Sequence, residues 1–108
     1  MYQPYNFEDF LGNIGELDYS EMLQASVREA TAVEARLSPG RGGRGINKQY
    51  RWIAVEYVRL LKGFIFFLRS GIQPNELSME EFYCFRPVVE KLVKKGQLKS
   101  SVLDLFRS

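Results

Sequence analysis

Apolar residues recur along the chain at spacings of three and four, the pattern of amphipathic helices. The longest such run predicts a central helix from about Asn47 to Arg69, with Asn47 as its N-cap and Gly71 as its end. The apolar run from Gly63 to Leu68 continues this spacing on both sides without turn residues. No segment is a convincing strand, so the pattern favours an all-α fold.

Two helices are predicted before the central one. A short helix from Phe7 to Leu11, capped by Asn6, lies within an aromatic N-terminal arm of residues 1–17. A longer helix runs from Asp18 to Leu37, and Asp18 and Glu21 have the spacing of a capping box. Pro39 and Gly40 end it.

Two further helical segments follow the central helix. Ser78 and Glu81 form the best-defined capping box of the sequence, which marks the start of a helix. Pro87 lies about nine positions into this segment and removes a helical hydrogen bond, so we expect a kink or break near Phe85 and Arg86. The final apolar run, from Ser100 to Phe106, predicts a short helix that docks on the core.

These elements predict one domain spanning residues 1–108, an irregular up-and-down bundle of four or five helices around the long central helix. Connections of eight or nine residues allow neighbouring helices to run antiparallel. The linker predicted at residues 38–46 contains four glycines and two arginines. Residues 38–45 offer no side chain suited to a core, so we expect the linker to be flexible.

Composition excludes several classes of protein. The apolar fraction of 45% and charged fraction of 26% are those of an ordinary soluble domain, and the longest uncharged stretch, seven residues, is too short to cross a bilayer. We expect a cytoplasmic protein without membrane contact. Cys84 is the single cysteine and histidine is absent, so the sequence predicts no disulfide, no metal site, no cofactor and no enzymatic activity.

Charge is distributed unevenly along the chain. Residues 1–35 hold seven acids and one base, a net charge of −6, whereas residues 36–108 hold fourteen bases and six acids, a net charge of +8. Such asymmetry can steer partners or pair a molecule with its own copy. In a homodimer, opposite charges of the two segments would set the register.

Basic residues define one candidate surface, for an anion or a nucleic acid. Five of them share about 80° of arc on the central helix, a sector that also holds Val55 and Phe66, and two more lie in the linker. The alternative is a solvated helix face joined to a soluble connector. The seven residues are Arg41, Arg44, Lys48, Arg51, Arg59, Lys62 and Arg69.

A second candidate surface is apolar. The central helix carries aromatic residues around most of its circumference, and so small a chain has few other elements to cover them. The simplest interpretation is a core, but uncovered rings would form an interface. The candidate interface residues are Phe64, Phe66, Phe67, Tyr83 and Phe85.

Two functional hypotheses follow from these surfaces. The first is a non-catalytic protein–protein interaction or regulatory module that acts as a homodimer and contacts a protein partner. The second is nonspecific binding of nucleic acid through phosphate contacts of the basic residues. Adjacent carboxylates on one helix diverge by about 100°, so the pairs Glu8–Asp9 and Glu80–Glu81 do not support catalysis.

Overall fold

The computed structural model describes residues 4–38 and 45–107, and all regular structure in these ranges is helical. The α-helices are α1 (Phe7–Ile14), α2 (Tyr19–Leu37), α3 (Arg51–Ser70), α4 (Met79–Tyr83) and α5 (Arg86–Lys94). Two 3-10 segments, Lys48–Tyr50 and Ser100–Phe106, precede α3 and follow α5. The all-α helical bundle predicted from the sequence is confirmed.

The central pair of the bundle is formed by α2 and α3, which run antiparallel. The Tyr19 hydroxyl at the start of α2 donates to the Leu68 carbonyl near the end of α3, with an O···O distance of 2.5 Å. At the opposite end Arg51 Nη1 donates to the Leu37 carbonyl at 2.9 Å. The prediction of an uninterrupted central helix through residues 64–68 is confirmed, and Gly71 ends it in the left-handed conformation with φ 70°.

The remaining elements pack on the other sides of α3 and enclose an aromatic core. The ring of Phe82 on α4 stacks on Phe106 of the C-terminal 3-10 helix, with centroids 4.3 Å apart. Phe7 of α1 contacts Phe64 and Phe85 edge to face. Edge-to-face and offset stacked pairs are the favoured geometries of buried rings. The core therefore draws rings from both ends of the chain.

Several predicted helix ends are corrected. A 3-10 turn, Lys48–Tyr50, precedes α3, and the Asn47 side chain makes no capping hydrogen bond. Asp18 does not cap α2 either. Helix α1 continues past Leu11 to Ile14, with Gly12 inside it, because Leu11 and Ile14 both face the core. The burial of Ile14 in one further turn outweighs the low helix propensity of Gly12.

Other predicted ends are confirmed. Asn6 accepts from the backbone N–H of Asp9 at 3.0 Å, and Ser78 and Glu81 form the predicted capping box. The segment breaks between α4 and α5, where Pro87 occupies the first turn of α5. Proline is tolerated at that position because its missing N–H has no helical partner. The predicted linker at 38–46 lies largely outside the described residues.

Candidate protein interface on the central helix

Most of the predicted apolar interface lies in the core. Phe64, Phe67 and Phe85 are almost completely buried, with exposed fractions of 0%, 1% and 0%. The prediction that they form a surface was wrong, because aromatic residues distant in sequence cover them. Tyr83 is half-buried, and its hydroxyl donates to the Arg107 carbonyl at 3.4 Å.

Phe66 is the one member of that predicted set that is exposed, with 47% of its surface open to solvent. Trp52 and Val55 are also exposed, at 69% and 47%. At 100° per residue, these three residues fall on the same side of α3. We call this side the outer stripe, and it comprises Trp52, Val55, Arg59, Lys62, Phe66 and Arg69.

Arg59 lies near the middle of the outer stripe and is held by carboxylates. Its Nη1 and Nη2 donate to Oε1 and Oε2 of Glu81 at 3.1 and 2.6 Å, and Nη2 also lies 2.6 Å from Oε2 of Glu56. These hydrogen bonds raise the pKa of Arg59 and lower the pKa of Glu81 to about 2. A bidentate arginine–carboxylate pair fixes the guanidinium in one orientation. Arg59 therefore joins α3 to α4 and does not reach freely into solvent.

Lys62, one turn further along α3, is also paired. Its Nζ lies 2.6 Å from Oε2 of Glu34 on α2, and both side chains are about half exposed. The central cations of the outer stripe thus have carboxylate partners from the helices on either side. The stripe therefore has a largely neutralised centre, with Trp52 and Val55 on one side of it and Phe66 on the other.

The other predicted basic residues are dispersed. Arg41 and Arg44 lie outside the described residues. Lys48 belongs to the 3-10 turn, Arg51 donates to the Leu37 carbonyl, and Arg69 is exposed near the end of α3. Among the residues that the structure describes, the basic side chains do not form a continuous unpaired surface.

A groove lies at each end of the outer stripe. Near Trp52, a cavity of about 390 Å³ is bounded by α1, α3 and α4, and its lining includes Phe7 and Glu56. Near Phe66, a cavity of about 460 Å³ lies between α2 and α3. We call the second cavity the α2–α3 groove, and it is lined by Val27, Ala30, Thr31, Glu34, Lys62, Ile65, Phe66, Arg69 and Ser70.

The surroundings of Cys84 favour its protonated form. Burial, with the carboxylates of Glu8, Glu81 and Glu80 nearby, raises the pKa of the Cys84 thiol. A raised pKa favours the unreactive thiol over the nucleophilic thiolate. Within residues 4–38 and 45–107, no three Cys, Asp or Glu side chains are grouped to hold a metal ion.

Residues 4–38 and 45–107 contain no helix that is both long and apolar enough to span a membrane.

Comparison with known proteins provides no functional relative, since no family model, no curated protein and no solved structure matches the chain. Function is therefore inferred from the surface of α3 described above.

Sequence reasoning identified part of this surface. It places Val55 and Phe66 in the basic sector of the central helix and includes Phe66 in the candidate interface. Three of the other four interface rings, those of Phe64, Phe67 and Phe85, are buried in the structure. Trp52 was not among the candidates. Its position around the helix axis could have identified it, because Trp52 lies only about 20° from Arg59 at 100° per residue.

Proposed function

We propose that this chain is a non-catalytic protein–protein interaction module that acts as a homodimer through the outer stripe of α3. The observation that carries the proposal is the exposure of Trp52, Val55 and Phe66 on one face of a helix whose other faces are buried. Aromatic side chains grouped on a surface mark interaction sites more often than scattered apolar residues do. Trp is also the residue type most enriched where truncation costs the most binding energy.

The neutralised centre of the stripe supports the same proposal. Burying an unpaired charge at an interface is costly, whereas Arg59 and Lys62 already have partners within their own chain. A protein surface can therefore cover this face without leaving an isolated cation. Binding energy would come mainly from the apolar surface that these three side chains still expose.

Sedimentation equilibrium tests the homodimer directly. We expect the wild-type protein at tens of micromolar to sediment at about twice its chain mass of 12.5 kDa. Phe66→Glu replaces an apolar ring of the stripe with a carboxylate and should restore the monomer mass, because the interface would lose an apolar contact and would have to desolvate a charge. Since Phe66 is exposed, we expect this variant to fold, which far-UV circular dichroism checks.

Met79→Glu is the matched control. Met79 is 45% exposed, close to the exposure of Phe66, but it lies at the start of α4 and outside the stripe. A carboxylate in the first turn of a helix is also favourable. The control should sediment like the wild type. A wild-type monomer at these concentrations, or equal dissociation of both variants, contradicts the proposal.

Nucleic-acid binding is the alternative function, and the pairing of Arg59 and Lys62 with carboxylates weighs against it. Phosphate binding would have to displace those carboxylates or depend on the remaining cations. Retention of DNA or RNA at about 50 mM salt, abolished by Arg41→Ala with Arg44→Ala, would favour this alternative over the interaction module.

A further inference from the structure

The outer stripe has a spacing that reads the same in both directions along α3. Its six residues, Trp52, Val55, Arg59, Lys62, Phe66 and Arg69, are separated by intervals of three, four, three, four and three. Such a stripe matches a second copy of itself when the two helices run antiparallel about a two-fold axis. The axis then passes between Arg59 and Lys62.

The residue types favour this antiparallel register over a parallel one. In the antiparallel register Trp52 faces Arg69 of the second copy, and Val55 faces Phe66. An arginine over an indole ring and two apolar side chains in contact are both favourable pairs. A parallel register would instead place Arg69 on Arg69 of the second copy, and these two exposed arginines would repel each other.

The α2–α3 groove lies where the antiparallel register brings the indole ring. Its volume is about 460 Å³, and its walls include Val27, Ile65 and Phe66, with Arg69 also in its lining. Trp52, at 69%, is the most exposed large apolar side chain among the described residues. A groove with apolar walls and two cations, Lys62 and Arg69, suits an indole, which combines an apolar body with a π face that attracts cations.

We infer that two copies pack α3 against α3 in antiparallel orientation, and that Trp52 of each copy inserts into the α2–α3 groove of the other. This inference rests on the proposed homodimer and names its geometry. At the two-fold axis Arg59 meets Lys62 of the second copy. Glu56 and Glu81 neutralise the arginine, and Glu34 neutralises the lysine, so the contact brings no unpaired cations together.

Fluorescence tests the position of the indole, because Trp52 is the only tryptophan in the chain. When the protein is diluted, we expect the emission of Trp52 to shift to longer wavelength and its quenching by acrylamide to increase. Both changes should have their midpoint at the protein concentration at which sedimentation shows half of the dimer dissociated. Thr31→Arg obstructs the groove and should weaken dimerisation at least tenfold. Gln24→Arg adds the same charge at an exposed α2 position outside the groove and should behave like the wild type.

Disulfide formation tests the register. In a Cys84→Ser background, one chain carries Val55→Cys and another carries Phe66→Cys, and the two are mixed and oxidised. The antiparallel register predicts mainly the mixed disulfide, because only those two positions face each other. Predominant Val55→Cys homodimers would overturn the register while leaving the homodimer intact. A chain that stays monomeric in sedimentation contradicts the proposed function itself, and a dimer with unchanged Trp52 emission overturns only the insertion.

Discussion

At the residue scale, the carboxylate of Glu81 both caps a helix and pairs with an arginine. It accepts from the backbone N–H of Ser78 at 2.9 Å, which closes the capping box, and it binds Arg59 through both oxygens. These contacts lower its pKa from 4.5 to about 2. A lowered pKa means that the carboxylate stabilises the fold above about pH 4.5, and that this contribution is lost as the pH falls toward 2.

Glu81→Gln separates the two roles, since glutamine can keep the capping hydrogen bond but cannot pair with Arg59. We expect the variant to be less stable than the wild type by about 1–2 kcal/mol at pH 7, a value reduced by the partial solvent exposure of the pair. The difference should shrink toward zero near pH 2. Urea unfolding at several pH values measures it, and a difference that is independent of pH would contradict the ion-pair explanation.

Gly63 shows how one missing side chain positions a neighbouring segment. A Cβ at this position would lie 2.6 Å from Cδ1 and 2.9 Å from Cγ of buried Leu77. Alanine normally stabilises a helix interior by about 1 kcal/mol relative to glycine. Because the clash with Leu77 outweighs that gain, we expect Gly63→Ala to lower the free energy of unfolding by about 1–2 kcal/mol.

Gly12→Ala is the control for this prediction. Gly12 also lies within a helix, but a Cβ there would meet no atom within 4 Å. We expect this change to stabilise the protein by about 0.5–1 kcal/mol, as helix propensity alone predicts. Thermal unfolding of the two variants side by side checks the opposite signs. Stabilisation by both changes would show that Leu77 repacks without cost.

At the scale of whole elements, the start of α2 is capped by a residue from the far end of the chain. The backbone N–H of Tyr19 donates to Oε1 of Gln97 at 2.7 Å. Gln97 is positioned by the end of α5, where Gly96 adopts φ 77° and the N–H of Gln97 bonds to the Leu92 carbonyl at 2.9 Å. This is a Schellman motif, which needs glycine at the left-handed position.

Gln97→Ala should therefore destabilise the protein by about 1 kcal/mol, the cost of losing an N-cap. Asp18→Ala should cost less, because the Asp18 side chain makes no capping hydrogen bond and its ion contact with Lys95, at 3.7 Å, is exposed. Chemical denaturation of the two variants measures both values. A larger loss for Asp18→Ala would show that Asp18, as the sequence predicts, is the effective cap.

The contrast between these two caps explains which elements sequence reasoning could predict. The capping box at Ser78 and the break before Pro87 depend on residues within a few positions of each other, and both predictions are confirmed. The cap of α2 depends on Gln97, which is 78 positions from Tyr19. Helix periodicity and local capping rules contain no information about such a distant partner.

At the scale of the whole molecule, the acidic N-terminal third pairs with the basic remainder inside one chain. Oε1 of Glu16 lies 2.5 Å from Nζ of Lys91, and Oε2 of Glu34 lies 2.6 Å from Nζ of Lys62. The asymmetry of charge along the sequence thus becomes a set of contacts between helices of the same molecule. For the same reason the candidate interface was only partly predictable, since the partners that bury Phe64 and neutralise the basic sector come from distant segments.

The salt dependence expected of the proposed dimer follows from this internal pairing. Its proposed contacts are apolar or already neutralised, apart from the contact of Arg69 with the uncharged indole of Trp52. We therefore expect the dissociation constant to change by less than about threefold between 50 and 500 mM sodium chloride. Nucleic-acid binding through five phosphate contacts would instead weaken by about four orders of magnitude over that range. Sedimentation across the salt series measures the first quantity, and fluorescence anisotropy of a labelled duplex measures the second. Dissociation of the dimer at high salt would mean that charged groups, and not the apolar residues of the outer stripe, hold the copies together.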